Sequence, residues 1–214
     1  MNSIYFDDIN SYDDLGLILK PREIPSAEPN LILVDVEGRD GALDMSEALT
    51  GEVTYKNIVM PLEFSVIDPV KNWDKKLSAI KNKMHGRKMK ITLSSDLDYY
   101  WVGRVKVLDF SSSKALGNLA IECNVEPYKY KKDITIVSQN VKAGDVITLT
   151  NDRKSVVPKI TSNAILKIKH KETTYSISEG TFKILDIVLK ECINTIEVLE
   201  GSGTLSFEYQ EKSL

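Results

Sequence analysis

The sequence predicts a mainly β protein with one α-helix, organised in two parts that meet near residue 130. Polar and apolar residues alternate in several runs of the first half, as they do in strands that bury one face. One segment of that half has the apolar spacing of a helix. The second half contains about seven short strand-like runs, most of them roughly 8–12 residues apart, which is typical of a β-sandwich. At 214 residues with 42% hydrophobic residues, the chain can bury a sizeable core in one large or two small domains.

The first clear element is a strand within residues 53–67, where the alternation is regular. Its apolar face comprises Ile58, Met60, Leu62, Phe64 and Val66. Asp68-Pro69 ends the strand, and an amphipathic helix is expected over roughly residues 70–85, with Gly86 as its C-terminal cap. The apolar face of this helix comprises Trp73, Leu77, Ile80 and Met84.

A hairpin and a further strand are expected after the helix. Residues 89–93 and 99–107 have a strand-like composition, and the linker 94–98 between them is rich in turn-forming residues. Residues 111–117 are expected to form a loop, and the alternating run 119–125 is expected to form the next strand.

The alternating pattern stops at residues 126–133, where a proline meets three lysines and two tyrosines. We place a domain boundary there, which gives an N-terminal domain over residues 1–130 and a C-terminal domain over residues 131–214. Seven strands are expected in the C-terminal domain, with turn-forming residues between several of them. They lie around residues 134–137, 146–149, 165–168, 175–177, 182–184, 196–199 and 205–209.

Composition argues against several classes of protein. The net charge of only −3 argues against general affinity for nucleic acid. No run of about 18 apolar residues is present, so we expect no membrane insertion, and acids near the N-terminus argue against a secretory signal. Cys123 and Cys192 match no metal-binding spacing, so we expect two free thiols in a reducing compartment.

Charge is distributed unevenly along the chain. Residues 1–52 contain 12 acids and 3 bases, a net charge of −9, whereas residues 71–90 contain 8 bases and 1 acid, a net charge of +7. The basic run fits a solvated helix face. It also fits a contact between the acidic region and the basic helix, within one subunit or between neighbouring subunits, where opposite potentials fix the register. The sequence leaves these interpretations open.

The residues that usually carry catalysis do not form a recognisable group. His85 lies at the end of the expected helix and His170 lies between lysines after a strand, so we expect each to have a structural or solvent-exposed role. Asp7-Asp8, Asp13-Asp14 and Asp96 with Asp98 are paired acids, as in a glycosidase or a divalent-metal site, but a sequence pair cannot establish the carboxylate separation that a glycosidase needs. Asp96 and Asp98 fit the turn between two strands better than a metal site. We therefore predict no enzyme activity and no catalytic, cofactor-binding or metal-binding residues.

Gly38, Gly41 and Gly51 frame a short polar segment before the first clear strand. No Gly-Lys-Ser/Thr ending follows them, so the segment is not a phosphate loop, and the glycines fit tight turns. Arg39 and Asp40 in the same segment are candidates for contacts between neighbouring subunits.

Three aromatic residues cluster at the start of the run 99–107. Alternation places Tyr99 and Trp101 on one face of the strand and Tyr100 on the other. Such rings can stack on a sugar or a base, but core packing combined with a partner contact fits the alternation better.

Several short motifs of the first half form a recognisable set. They are Asp14-Leu15-Gly16-Leu17, Pro25, Gly38-Arg39-Asp40-Gly41, Leu43-Asp44, Gly51, Tyr55 and Phe64. Together they resemble the N-terminal domain of siphophage distal tail proteins. A second set comprises Val157-Pro158-Lys159-Ile160, Glu179-Gly180, Asn194-Thr195-Ile196-Glu197-Val198 and Gly201-Ser202-Gly203-Thr204. It is similar to the galectin-like C-terminal domain of the same family, so the resemblance covers nearly the whole chain.

The chain departs from this family at two positions. Family members often carry a glycine just before the asparagine at position 194, where this chain has Cys192-Ile193. Many also carry an arginine after Asn57, where Ile58 stands. The first position concerns the geometry of a turn, and the second concerns strand contacts.

The resemblance implies a structural protein with an N-terminal β-sandwich or barrel-like ring domain, containing the helix and the hairpin, and a galectin-like C-terminal β-sandwich. It also implies a hexameric ring at the tail tip of a phage or prophage virion, assembled in the bacterial host cytoplasm. Its partners would be further copies of the chain, the tail tube protein, the tail-associated hub or lysin protein and receptor-binding proteins. DNA would pass through the lumen without specific binding.

An alternative function is carbohydrate binding, with the C-terminal sandwich recognising sugars of the host cell surface. Between residues 134 and 214 the aromatic residues are Tyr175, Phe182, Phe207 and Tyr209, all within expected strands. This scarcity of rings that can stack on a sugar favours the structural role.

Overall fold

A computed structural model describes residues 3–67, 69–113 and 116–214, and the chain divides into two compact units. The first unit ends at Lys129 and also includes Leu214, and the second comprises Tyr130–Ser213. Each unit has a hydrophobic core of its own. Strands dominate both units, and the described residues contain one α-helix, so the predicted mainly β fold is confirmed.

The first unit is built from short strands at its start, one helix and a set of longer strands. Its elements within the described residues are β1 (Ile4–Phe6), β2 (Ile9–Asn10), β3 (Leu17–Leu19), β4 (Leu33–Val34), β5 (Leu43–Asp44), β6 (Ile58–Val66), α1 (Trp73–Met84), β7 (Lys88–Leu93), β8 (Asp96–Ser113) and β9 (Leu116–Val125). Seven of these strands belong to one curled, nine-stranded sheet, in which they are antiparallel and follow the order β2-β1-β7-β8-β9-β6-β3. The other two, β4 and β5, pair with each other.

The strand expected within residues 53–67 is confirmed as β6, although it begins only at Ile58. Met60 and Phe64 are fully buried, whereas Pro61 between them is exposed, as the alternation of a strand requires. Ile58, where the resembled family often has arginine, is buried and pairs with Val125. The strand therefore turns its apolar face to the core of the first unit.

The expected helix is confirmed as α1, which follows one 3-10 turn over Val70–Asn72. Trp73 and Met84 are buried, and Gly86 follows with φ 77°, which suits a C-terminal cap. Trp73 also contacts Phe110 of β8 edge to face, with the ring centroids 5.3 Å apart. The helix is thus packed against the sheet. No helix in the described residues is long and apolar enough to span a membrane.

Two of the expected loops are shorter than predicted, so both predictions were wrong in extent. Only Ser94 and Ser95 separate β7 from β8, and Asp96 and Asp98 therefore belong to a strand. Most of the expected loop at 111–117 belongs to β8 and β9, while its residues 114 and 115, like Asp68 before the helix, lie outside the described residues. Serine and glycine favour turns, but the pairing of β8 with β9 overrides that preference.

The second unit is a β-sandwich. Its elements, beginning at the boundary, are β10 (Lys129–Lys131), β11 (Thr135–Lys142), β12 (Val146–Asn151), β13 (Lys159–Ser162), β14 (Leu166–His170), β15 (Thr173–Ile177), β16 (Gly180–Lys183), β17 (Cys192–Glu200), β18 (Ser202–Tyr209) and β19 (Lys212–Ser213). One antiparallel sheet has the order β11-β18-β13-β16 and the other has the order β12-β17-β14-β15. Ile160 and Phe207 of the first sheet and Ile168 and Val198 of the second are fully buried in one shared core.

All seven strands expected in the second half are present, most of them longer than predicted. Strand β13 was not predicted, because its four residues contain one large apolar side chain, Ile160, and its buried Ser162 hides the alternation. Cys192, where the resembled family often has glycine, begins β17 with φ 70°. Glycine adopts that backbone conformation without the strain that the cysteine side chain adds.

A buried carboxylate fastens the end of the second unit. Glu211 is 6% exposed and accepts hydrogen bonds from Lys131 Nζ at 2.6 Å and from the Thr135 hydroxyl. Burial alone would raise the pKa of Glu211, but the hydrogen bonds outweigh burial and hold this pKa below its usual range. Ionised Glu211 therefore stabilises the unit.

We expect Glu211→Gln to destabilise the second unit by about 2 kcal/mol at neutral pH, because it removes a charge-assisted hydrogen bond to a buried group. Since the folded-state pKa is lowered, the wild-type advantage is present above the usual glutamate pKa of about 4.3 and disappears as the pH falls through the folded-state value. Urea unfolding of wild type and variant at neutral and at acidic pH measures both effects.

The matched control for this prediction is Glu200→Gln. Glu200 accepts from Lys167 Nζ at 3.0 Å, but its side chain is 70% exposed. We expect a change below about 0.5 kcal/mol in the free energy of unfolding, because exposed ion pairs contribute little. Equal effects of the two substitutions would contradict a special role for the buried carboxylate.

Candidate interaction surface

Residues 28–56 form an excursion from the first sheet, which we call the arm. Its two ends pair with each other, because the N–H of Lys56 donates to the carbonyl of Glu28 and the N–H of Asn30 donates to that of Thr54, both at 2.8 Å. Lys56 Nζ also lies 3.2 Å from the Glu28 carboxylate. The two ends of the arm are therefore joined to each other at its base.

The tip of the arm is an ordered hairpin formed by β4 and β5, in which Leu33 lies opposite Asp44. Ser46 is buried behind it, where its hydroxyl accepts the N–H of Ile32 at 2.9 Å and donates to the Asp44 carboxylate. Hydrogen bonds from the Ser46 side chain and backbone lower the pKa of Asp44. A local network thus fixes the shape of the hairpin.

The turns expected at Gly38, Gly41 and Gly51 are confirmed. Their φ values are 79°, 73° and 69°, a region that other residues enter only with strain. Arg39 and Asp40 are exposed between the first two of these glycines. Their predicted contact with a neighbouring subunit stays a prediction.

The arm exposes a large amount of apolar side chain. Seven of its large apolar residues are between 39% and 89% exposed, and none of them belongs to the core that the described residues of the first unit form. They are Leu31, Ile32, Leu33, Val34, Val36, Met45 and Leu49. Single exposed apolar residues are common, but seven on one short segment of the chain favour an interaction site. We call this set the apolar arm surface.

The same element is acidic. The arm contains seven acids and two bases, a net charge of −5. Asp35, Glu37, Asp40 and Glu47 are exposed, and no ion pair engages them within the described part of the chain. The arm therefore suits a partner surface that is both apolar and basic.

Both histidines connect elements of the fold. His170 is buried in β14, and its two ring nitrogens each lie 3.3 Å from a backbone carbonyl oxygen, that of Thr195 and that of Val188. His85 Nδ1 accepts the N–H of Val107 at 3.1 Å, which links the end of α1 to β8. These contacts give each ring a structural role.

The aromatic cluster at the start of β8 is covered by the protein itself. Lys129 Nζ lies 4.6 Å from the ring centroid of Tyr99, and Lys90 Nζ lies 4.9 Å from that of Tyr100. Trp101 is only 8% exposed. A lysine therefore lies over one face of each tyrosine ring and Trp101 is buried, which leaves less ring area for a sugar or a base.

The acids and thiols considered from the sequence lie in ordinary structural environments. Asp96 lies 2.9 Å from Lys129 Nζ. Over the residues that the structure describes, no group of three or more His, Cys, Asp or Glu side chains could hold a metal ion. Cys123 and Cys192 are free thiols, as expected, and burial raises the pKa of Cys123 to about 12, so that this thiol is protonated at neutral pH.

The aromatic residues between positions 134 and 214 offer little area to a sugar. Phe207 and Tyr209 are buried, and Tyr175 and Phe182 pack against the same core. The Tyr209 hydroxyl also donates to the carbonyl of Thr150. Carbohydrate binding by this unit stays a prediction, and a glycan array without hits would count against it.

No protein-family model matches the chain, and no curated protein matches it. Its structure does match a solved one, the crystal structure of the SPP1 Dit (gp 19.1) protein, over 100% of both chains, with a TM-score of 0.67 and 14% sequence identity. The chain has the Dit fold. That protein is described as a paradigm of the hub adsorption apparatus in phages that infect Gram-positive bacteria.

The Dit fold is the fold that the sequence resemblance implied, so that prediction is confirmed. Sequence reasoning missed the apolar arm surface. Residues 31–34 are four consecutive apolar residues, a run that ordinarily predicts a strand buried in the core. In this Dit fold the run lies in the arm and is exposed.

Proposed function

We propose that the protein is a structural hub of a phage tail tip. The observation that carries this proposal is the match to the Dit fold over the full length of both chains. The matched protein belongs to a hub adsorption apparatus, and a structural hub needs surfaces for association more than a catalytic centre. The candidate surface on the arm fits that requirement.

In this proposal six copies form a ring, with residues 1–130 in the ring and residues 131–214 outside it as a galectin-like sandwich. The ring joins the tail tube protein to the tail-associated hub or lysin protein, and receptor-binding proteins attach to the assembly. DNA passes through the lumen without specific binding, which suits a chain with a net charge of −3. The protein acts at the virion tail tip, after assembly in the host cytoplasm, as a scaffold without enzyme activity.

The apolar arm surface supplies a reason for copies to associate. A persistent subunit contact buries on the order of 1,000 Å² or more. Full burial of one exposed large apolar side chain contributes about 1.5–3 kcal/mol. The seven residues of this surface are 39–89% exposed, so each contributes in proportion to the area that a contact covers. Part of this gain offsets the entropy lost on association.

Light scattering coupled to size-exclusion chromatography tests the proposal. We expect a particle of about 144 kDa, six times the 24.0 kDa of one chain. A monomer of 24.0 kDa at every concentration that can be reached would contradict it.

A further inference from the structure

We propose that the arm of one copy docks on the N-terminal end of α1 in the neighbouring copy. This inference rests on the proposed function, because it requires copies to assemble. Each copy would use its arm on one side and its helix on the other. Such a contact joins two different surfaces, and it generates a ring when the rotation between copies closes.

The receiving surface, which we call the helix surface, consists of Ile67, Val70, Lys71 and Lys75. Ile67 and Val70 are 53% and 54% exposed. Lys71 and Lys75 are exposed as well, and no ion pair engages them in the described residues. Asp74 is the one acid in α1, whose other charged residues are lysines. The helix surface is therefore apolar and basic, where the arm is apolar and acidic.

The position of Lys71 and Lys75 is unfavourable for the helix itself. Both lie at or near the N-terminal end of α1, where the helix dipole presents a positive partial charge. Acidic side chains stabilise that end of a helix and basic side chains do not. An acidic partner that covers this end offsets the repulsion between the two lysines and the helix dipole.

Four charged residues of the acidic and basic segments, Asp35, Glu37, Lys71 and Lys75, form no ion pair within the described part of one copy. Asp7 does reach the basic segment, but its carboxylate accepts the backbone N–H of Lys90 at 2.8 Å and not a charged group. Neither Asp35 nor Glu37 pairs with Lys71 or with Lys75 in the described structure. Of the interpretations that the sequence left open, these contacts favour an encounter between copies.

Apolar and charged residues have different parts in this contact. Burial of the apolar arm surface against Ile67 and Val70 supplies affinity. The opposed charges fix the register and accelerate association, and salt screens them. Assembly should therefore weaken as the ionic strength rises.

Two charge-reversal variants test the docking. The arm variant carries Asp35→Lys and Glu37→Lys, and the helix variant carries Lys71→Glu and Lys75→Glu. In either variant alone, the arm and the helix surface carry charges of the same sign. We therefore expect its self-association to weaken at least about tenfold. Folding of the helix variant is protected, because acids at the N-terminal end of a helix are favourable.

Mixing the two variants in equal amounts is the decisive step. The basic arm of the arm variant then meets the acidic helix surface of the helix variant. The unchanged acidic arm of the helix variant meets the unchanged basic helix surface of the arm variant. We expect the mixture to form particles of the wild-type size, with the two variants alternating around the ring. Light scattering on each variant and on the mixture measures this. A contact within one copy could not be restored by mixing.

The controls reverse the same number of charges on the second unit. They are Lys132→Glu with Lys183→Glu and Glu172→Lys with Glu179→Lys, all at exposed positions. Both controls should assemble as wild type does. If each docking variant assembles normally alone, or if the mixture stays unassembled, the docking is wrong although the wild-type ring stands. If the wild-type protein is itself a monomer, the proposed function fails.

Discussion

Leu31→Ser combined with Leu49→Ser weakens self-association about a hundredfold or more and leaves folding unchanged, if the apolar arm surface is a subunit interface. The two leucines are already 59% and 89% exposed in the folded chain, so unfolding exposes little further apolar area at these positions. At an interface their burial contributes about 3 kcal/mol or more together, which is about two factors of ten in affinity. Sedimentation equilibrium measures the association, and urea unfolding measures the stability of the first unit.

The matched control for this pair lies on the second unit. Ile165→Ser with Leu185→Ser removes similar apolar area from side chains that are 78% and 76% exposed. We expect this control to assemble like the wild type. Equal losses of association in the two pairs would mean that the arm has no special role. A loss of folding stability in the arm variant would mean that Leu31 or Leu49 packs within its own chain.

Gly103→Ala is expected to destabilise the first unit by about 3 kcal/mol, because it overpacks the centre of the sheet. Gly103 lies in β8 and pairs with Met89 of β7 and with Val125 of β9. A Cβ atom there would lie 2.4 Å from the carbonyl oxygen of Asn124 and 2.6 Å from Cα of Val125. Both are backbone atoms, so no side-chain rotation relieves the clash, and the strands must move apart.

Gly86→Ala is the control in the same unit. A Cβ atom on Gly86 would meet nothing within 4 Å, so the substitution adds only the backbone strain of φ 77°. We expect that strain to cost about 1 kcal/mol. Urea unfolding compares the two variants. If both variants lose the same stability, or if Gly103→Ala loses none, the close approach of the strands is not the reason for glycine at position 103.

The elements that the sequence predicted well are those that bury one face against their own core. The buried residues Met60, Leu62 and Phe64 of β6 recur at every second position. The buried residues Trp73 and Met84 of α1 follow helical spacing. Such patterns are local, so neighbouring residues are sufficient to read them.

The missed parts depend on contacts between distant residues. The serines at 111 and 112 belong to β8 because they pair with Asn118 and Gly117 of β9. Ser162 belongs to β13 because Gly180 and Leu205 flank it on two sides. Serine has no strong preference for strands, so neither case can be read from the local sequence.

The arm could not be interpreted from the sequence for a different reason. Residues 31–34 have the composition of a buried strand, yet they lie outside the core of their unit. In the proposed ring the surface that covers them belongs to another copy. The uneven charge of residues 1–52 and 71–90 was visible in the sequence, but which acids stay unpaired depends on the fold.

Electron microscopy of the purified wild-type protein tests the central claim, the assembly of a tail-tip ring, most directly. We expect closed rings with six-fold symmetry and a central channel. Isolated monomers, or filaments that do not close, would contradict the claim.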